Sequence, residues 1–433
     1  MENICGWIAQ AGSSPLREPL KGTQQADWLV IGAGITGLSA AHALAQLHPQ
    51  ARIVVVDRQR AAQGASARNS GFVVAHEHPA AGELLGSDGF AGYQVDTSIG
   101  RAAADEVRKQ IARHGIECDF RESGYFFAVS DPRKLTQVDA KLQTLRAVGA
   151  SAQFLQGESL LEKLGSRHYR AAIWCGNGNA LLQPAKYARG LLDALPPKVT
   201  VYENTDITGL ERQGNGQIRA RGQNGCVEAK QVLVCLNAFI PRAGIDDSGT
   251  FAMELSASLT RPLSDQEFEA LGAPASWGVL STRPLGATVR LTPDRRVMIR
   301  NTAEYRSRDL SLSELSTRRQ HHVLGLQRRF PMLGEQDIEY TWTGHLSASR
   351  SGQPYFGKVE EGVFAVAGCN GSGVARGTLW GRLLAEWASG RDSPLTQSVI
   401  QRAQPGWLPP KPLLDIGAML RMRVETVRAR SEI

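Results

Sequence analysis

Val30-Ile31-Gly32-Ala33-Gly34-Ile35-Thr36-Gly37-Leu38 continues a short apolar run beginning at Trp28, and some twenty residues separate it from Asp57. An apolar strand, a glycine turn and a helix in this order make a dinucleotide clamp. Gly32 permits the tight turn, Gly34 lets the backbone approach a pyrophosphate, and Gly37 lets the next helix pack close to the strand. Phosphate belongs at the helix start, where unpaired N–H groups and the helix dipole favour negative charge. Asp57 ends a second apolar run, Arg52-Ile53-Val54-Val55-Val56. A carboxylate there accepts hydrogen bonds from ribose hydroxyls and repels a 2′-phosphate. The pattern predicts an unphosphorylated adenine dinucleotide, with Ile35, Thr36 and Arg58 among the contacts.

The 433 residues suit two domains of ordinary size. The net charge of +7 is spread along the chain without a run of five like charges, so it does not argue for nucleic acid. Six cysteines lie scattered with no CxxC pair, which fits a reducing compartment. No apolar run has the length of a bilayer crossing, and the N-terminus lacks a secretory pattern. The expectation is a cytoplasmic, soluble protein.

Residues 1–25 read as an arm, with Trp7 and Ile8 as its pinning residues. Beyond the clamp, helices are expected at Ile99–His114, Leu135–Val148 and Pro184–Leu195, and antiparallel strands at Glu117–Val129 and Thr200–Ala220. Gln231–Leu236 is a continuous apolar strand of the buried parallel type. Strand patterns follow at Leu255–Arg261 and Thr288–Ile299, the latter broken by a turn at Pro293-Asp294-Arg295, then a helix at Leu312–Phe330. A further strand at Gly362–Gly368 leads through a glycine-rich loop into a helix at Arg376–Ser389. Repeated returns to one sheet predict a discontinuous α/β cofactor domain (26–75, 150–238 and 345–403). A substrate domain (76–149 and 239–344) interrupts it, and a tail follows (404–433).

In this order the pieces resemble the FAD-dependent D-amino-acid oxidase, glycine oxidase and sarcosine oxidase superfamily. Beside the clamp, Gly64-Ala65-Ser66-Ala67-Arg68-Asn69-Ser70-Gly71 resembles its second flavin motif, lining the pyrophosphate and ribityl chain. Asn204-Thr205-Asp206-Ile207 resembles the strand whose backbone meets the adenine. Gly368-Cys369-Asn370-Gly371-Ser372-Gly373-Val374 resembles the C-terminal loop whose helix start faces the flavin ring. There, N–H groups would stabilise charge developing on the ring. Within the superfamily the chain is most similar to the γ-glutamylputrescine oxidase-like bacterial flavoproteins. His114-Gly115-Ile116-Glu117-Cys118-Asp119-Phe120-Arg121, Arg290-Leu291-Thr292-Pro293-Asp294-Arg295 and Tyr340-Thr341-Trp342-Thr343-Gly344 carry that likeness.

The resemblance implies a glutathione-reductase-like Rossmann domain with an inserted antiparallel-sheet α+β substrate domain. It implies hydride transfer from the carbon beside an amine to FAD, with O2 or another electron acceptor closing the cycle. The substrate would be a γ-glutamylated polyamine or an amino acid. Two family features are missing. No cysteine lies in 345–357 to hold the flavin covalently, so non-covalent FAD is expected, and no lysine lies between Lys230 and Lys358 to assist oxygen. The lysine that some relatives place after the C-terminal loop is matched by Ala375. Arg290, Arg300 and Arg306 are the candidate carboxylate clamps, since a guanidinium fork binds carboxylate bidentately. Tyr305, Trp342 and His345 are candidate pocket residues. His321-His322 lack a matching ligand cluster, so no metal is expected. Two other readings stand beside this one: a flavin-bearing maturation or assembly partner of another enzyme, and an NAD-binding module.

The tail carries a basic helix pattern from Ile416 to Arg430 with Met419, Leu420, Met422, Val424 and Val427 among arginines. It reads as docking on its own domain or on a second subunit, or, less favoured, as contact with a membrane surface.

Overall fold

The computed structural model describes residues 2–245, 249–283, 285–306, 308–410, 412–429 and 432. Ile53–Val56 is buried at every position, as a strand covered on both faces must be, and it lies inside an eight-stranded sheet. Parallel strands Val363–Ala367, Gly225–Val234, Gly22–Ile31, Ile53–Val56 and Val199–Tyr202 lie side by side in that order. Tyr355–Glu360 adds an antiparallel edge, and the hairpin Ile207–Arg212/Ile218–Gly222 pairs with the early part of Gly225–Val234.

Helix Ile35–Leu47 is buried on nearly all sides beneath Gly373–Ala388. The two backbones approach closely because Gly377 and Gly381 face Thr36; a Cβ on Gly377 would stand 2.8 Å from the Thr36 hydroxyl. The turn at Gly32 has φ +105°, and a Cβ on Gly37 would collide with the Gly32 carbonyl oxygen.

A second eight-stranded sheet runs Ile338–Ser349, Thr250–Thr260, Val297–Tyr305, Thr288–Leu291, Trp277–Ser281, Tyr125–Val129, Ala171–Cys175, Ala152–Gln156. It is antiparallel apart from the pairing of Trp277–Ser281 with Tyr125–Val129. Helix Leu312–Arg329 covers it, with Leu326 and Phe330 in its core.

Four sequence readings need correction. Ala152–Gln156 and Ala171–Cys175 belong to the second sheet, so the cofactor segment does not resume at 150. A local apolar period identifies a strand but not its partner. Val199–Tyr202 is a parallel neighbour of Ile53–Val56 instead of the start of the antiparallel run. The helix expected from Ile99 begins at Phe90, because its glycine-bearing first turns hide the period. The arm is shorter than residues 1–25, since the first strand starts at Gly22; within it Gly6–Ala11 is a helix, and Trp7, 1% exposed, pins it as expected.

Candidate functional site

Between the sheets lies a cavity of about 770 Å³, and the clamp forms one end of it. The Gly32 N–H donates to the Val56 carbonyl (2.8 Å). Asp57 accepts the Ala33 N–H on one carboxylate oxygen (2.8 Å) and the Gln59 N–H on the other (2.9 Å). Burial raises its pKa and these two N–H groups oppose that rise. Each oxygen keeps a lone pair for a further hydroxyl donor. Thr205, Asp206 and Ile207 line the same end, and Asp206 pairs with Arg242 (3.3 Å). All the predicted cofactor residues line this cavity except Gly37, whose place is the helix–strand contact.

The Gly64–Gly71 loop closes over the clamp. The Ile35 N–H donates to Ser66 Oγ (2.8 Å), and a Cβ on Gly34 would stand 2.7 Å from that oxygen. Asn69 ties the loop to itself, donating to the Ser66 carbonyl (2.8 Å) and accepting the Gly71 N–H (2.8 Å). Arg68 donates to the Gln63 and Thr343 carbonyls, and Trp342 Nε1 donates to the Arg68 carbonyl (3.0 Å). Trp342 is therefore both cavity wall and loop brace.

Arg290 is a second brace and not a substrate clamp. It is 2% exposed and donates to the carbonyls of Ser70 (2.7 Å) and Leu182 (2.8 Å), with its guanidinium 5.2 Å from the Trp7 ring. Trp7 in turn meets Trp342 edge-on at 6.1 Å. The arm therefore straps the back of the flavin-motif loop.

Asn370 (φ +47°) and Gly371 (φ +95°) turn the chain into helix Gly373–Ala388. Asn370 Oδ1 accepts the Ser349 N–H (2.8 Å), fixing the loop to the second sheet. Ser372 does not cap the helix; its hydroxyl donates to Glu77 (2.7 Å), and Arg376 pairs with the same carboxylate (3.1 Å). The uncapped helix start forms cavity wall from Gly371 to Val374.

Arg300 lines the cavity. It donates to Thr288 Oγ1 (2.6 Å) and, among the described residues, has no carboxylate within ion-pair distance. Burial pushes its pKa down to about 10. His345 packs edge-on against Phe239 (5.1 Å), its Nδ1 is 3.7 Å from Asp309, and its buried Nε2 has no partner. Burial lowers its pKa. His78 stacks on Phe127 at 3.9 Å and is held neutral, its pKa driven to about 3 by burial. Glu77, His78, Phe239 and Arg283 line the cavity without having been picked out in the sequence, where no motif marks them.

Two candidates leave the site. Tyr305 donates to Asp415 of the tail (2.8 Å), and Arg306 is held by Glu314 (2.9 Å) and Glu304 (3.8 Å). The close group Glu254, Asp309 and His345 has Arg306 3.9 Å from Glu254, so a cation already faces that carboxylate. His322 is spent in the core between the hydroxyls of Ser258 (2.8 Å) and Ser256 (3.2 Å).

Residues 27–387 match the model of the DAO family, described as FAD-dependent oxidoreductase. The chain belongs to the DAO family. It is 28% identical to γ-glutamylputrescine oxidoreductase of Escherichia coli (strain K12) over 368 residues, 84% of either chain. Among solved structures it resembles glycine oxidase from Geobacillus kaustophilus (TM-score 0.71, 17% identity, 86% of this chain and 96% of that one). It also resembles an L-amino acid deaminase from Proteus vulgaris (TM-score 0.68, 19% identity, 90% and 96%). At those identities the structural likeness speaks for the fold alone. It is the DAO fold, with a Rossmann cofactor domain.

The DAO cofactor is FAD, which replaces the NAD reading. The cavity suits it on its own evidence: two helix starts without side-chain caps open into one long space, and Gly34 leaves room where a side chain would strike Ser66.

Proposed function

We propose that this DAO enzyme oxidises the carbon beside an amine in a substrate that also carries a carboxylate. A γ-glutamylated polyamine or an amino acid has this chemistry. In this reading Gly32, Gly34, Ile35, Thr36, Asp57 and Arg58 hold the adenosine and pyrophosphate part, with Asp206 and Ile207 at the adenine. Ala65, Ser66, Arg68, Asn69, Ser70 and Gly71 line the ribityl side, while Asn370 to Val374 face the ring. FAD, held without a covalent link, supplies a two-electron acceptor for the hydride.

Arg300 carries the proposal. It is a buried guanidinium with one neutral hydrogen-bond partner, aimed into the cavity and suited to a carboxylate. Glu77, a lining carboxylate beside the C-terminal loop whose charge Arg376 already balances, would face the substrate amine as a hydrogen-bond acceptor. His78 and His345, kept neutral by burial, add no positive charge beside that amine. The walls of Trp342, Phe127 and Tyr125 exclude water during the transfer. Loss of hydride from carbon leaves an iminium ion, which gives the imine when its N–H proton passes to water; water adds to the C=N carbon and the C–N bond breaks, giving a carbonyl compound and an amine or ammonia.

The assembly-partner reading loses one of its grounds, because the arm is spent on the protein's own loop. Among the described residues no helix is long and apolar enough to cross a membrane. The thiols are free, which supports a cytoplasmic placement.

The test is anaerobic addition of γ-glutamylputrescine, amino acids and putrescine to the flavin-loaded protein. Bleaching by a carboxylate-bearing amine, with putrescine far less effective, is expected. Flavin that no amine reduces would refute the reading. The speed of recolouring in air separates O2 from another acceptor.

A further inference from the structure

We propose that the tail helix Leu413–Ala429 is a docking element that lies in the surface of an anionic bilayer. The helix carries two apolar faces, and the weaker one is turned inward. Leu414, Asp415, Ala418, Met422 and Glu425 are half-buried and Ala429 is fully buried, so this row faces the body of the protein, where Asp415 accepts the Tyr305 hydroxyl. Leu413, Ile416, Leu420, Val424 and Val427 form the other row. At 100° per residue they fall within an arc of about 80°. They stand 49–73% exposed. An aliphatic row kept in water while alanine and aspartate take the inner face has its partner elsewhere.

Charge decides the kind of partner. The exposed residues bordering the row include Arg421 and Arg423, and Arg428, which pairs with Glu425 of the inner row (3.1 Å); Asp415 also belongs to the inner row. The complementary surface is therefore negative. A second copy of the same helix fits poorly. Of the two heptad seams through Leu413, Leu420 and Val427, one holds Ile416 and then Arg423 at its other core position and the other holds Gly417 and then Val424. A pairing of two such helices would bury an arginine or leave a gap at a glycine, and would bring like-charged rims together. At a bilayer surface the same arginines extend to the headgroups while the aliphatic row sinks below them. Trp407, 71% exposed in the proline-rich link before the helix, is of the residue type favoured at that boundary. A second, inward apolar row offsets the outward one, so the helix as a whole is only weakly amphipathic.

Sedimentation of the flavin-loaded protein with vesicles tests the proposal. Phosphatidylcholine vesicles containing about one-quarter phosphatidylglycerol should carry it down at low salt, pure phosphatidylcholine should not, and raised salt should release it. L420E/V424E should weaken vesicle binding at least tenfold, and R421E/R423E should abolish the preference for phosphatidylglycerol. These positions are exposed and remote from the cavity, so the flavin spectrum and turnover should be unchanged in both variants. Failure to sediment with either vesicle overturns the proposal, as does binding that L420E/V424E leaves intact. A concentration-dependent dimer that L420E/V424E breaks, with vesicles ignored, would assign the face to a second copy and also overturn it.

Discussion

Replacing Arg300 by methionine should make the protein more stable and a worse catalyst. An ordinary arginine titrates above 12, whereas burial brings Arg300 down to about 10. At about 1.4 kcal/mol for each tenfold change in a protonation equilibrium, holding this charge costs on the order of 3 kcal/mol. Solvent reaching the cavity returns part of that, leaving a cost of about 2 kcal/mol. The sign follows from the lowered folded-state value: the cost is complete below about pH 10 and is relieved as pH rises from there towards the unfolded value. Methionine keeps the hydrophobic stem and removes the charge, so R300M should raise the free energy of urea unfolding by about 1–2 kcal/mol. The substrate loses its charge-assisted fork, and truncating one partner of a buried charged pair costs about 2–5 kcal/mol, or roughly a hundred- to thousandfold in kcat/KM. An amine lacking the carboxylate should lose far less. R300K, with a point charge in place of a fork, should fall between. A variant that is destabilised, or that loses activity equally on amines with and without a carboxylate, would show that Arg300 is a packing residue and refute this account.

Trp7→Ala should loosen flavin retention, because it removes the ring that contacts both Trp342 and Arg290 behind the Gly64–Gly71 loop. The cavity left should cost about 3–5 kcal/mol. Ultrafiltration should recover free flavin from W7A and less from W7F; full retention by W7A would detach the arm from the site. Acid should weaken the fold through five histidines, His42, His76, His78, His168 and His322, whose pKa values burial lowers to about 4, 4, 3, 3 and 3. Their stabilising contribution is full above about pH 6.5 and is lost as pH falls towards these values, with a limiting slope of about 7 kcal/mol per pH unit for five protons. H42L should reduce the slope by about one-fifth, and an unchanged slope would remove His42 from the account.

The clamp was legible because its chemistry is local. Gly32, Gly34, Gly37 and Asp57 fall within one strand–helix–strand unit; the Gly32 turn, the approach of Gly37 to Gly32 and the Asp57–Ala33 hydrogen bond are made inside it, while Gly34 answers to Ser66 of the next loop. The strand Ile53–Val56 announced its burial by being apolar at every position. The second sheet was less legible. Ala171–Cys175 was not picked out in the sequence, and its partners Tyr125–Val129 and Ala152–Gln156 are fixed by long-range pairing that no local period records.

Arg290 and Arg300 show the same limit at the site. They sit on neighbouring strands of one hairpin, Arg300 opposite Thr288 and Arg290 opposite Met298. Residues facing each other across an antiparallel pair share a side of the sheet, as do positions two apart, so both arginines project from the same face. The sequence contains that much. What separates their roles is the cover over each rung. Above Arg290 lie the loop carbonyl of Ser70 and the Trp7 ring, delivered from far along the chain, and its guanidinium is consumed in holding them. Above Arg300 lies open cavity, and a single threonine hydroxyl leaves most of its donors for a ligand. The same side chain on the same face is thus a brace at one rung and, in the proposed reading, an anchor at the next. A substrate carboxylate offered to both would find Arg290 already satisfied.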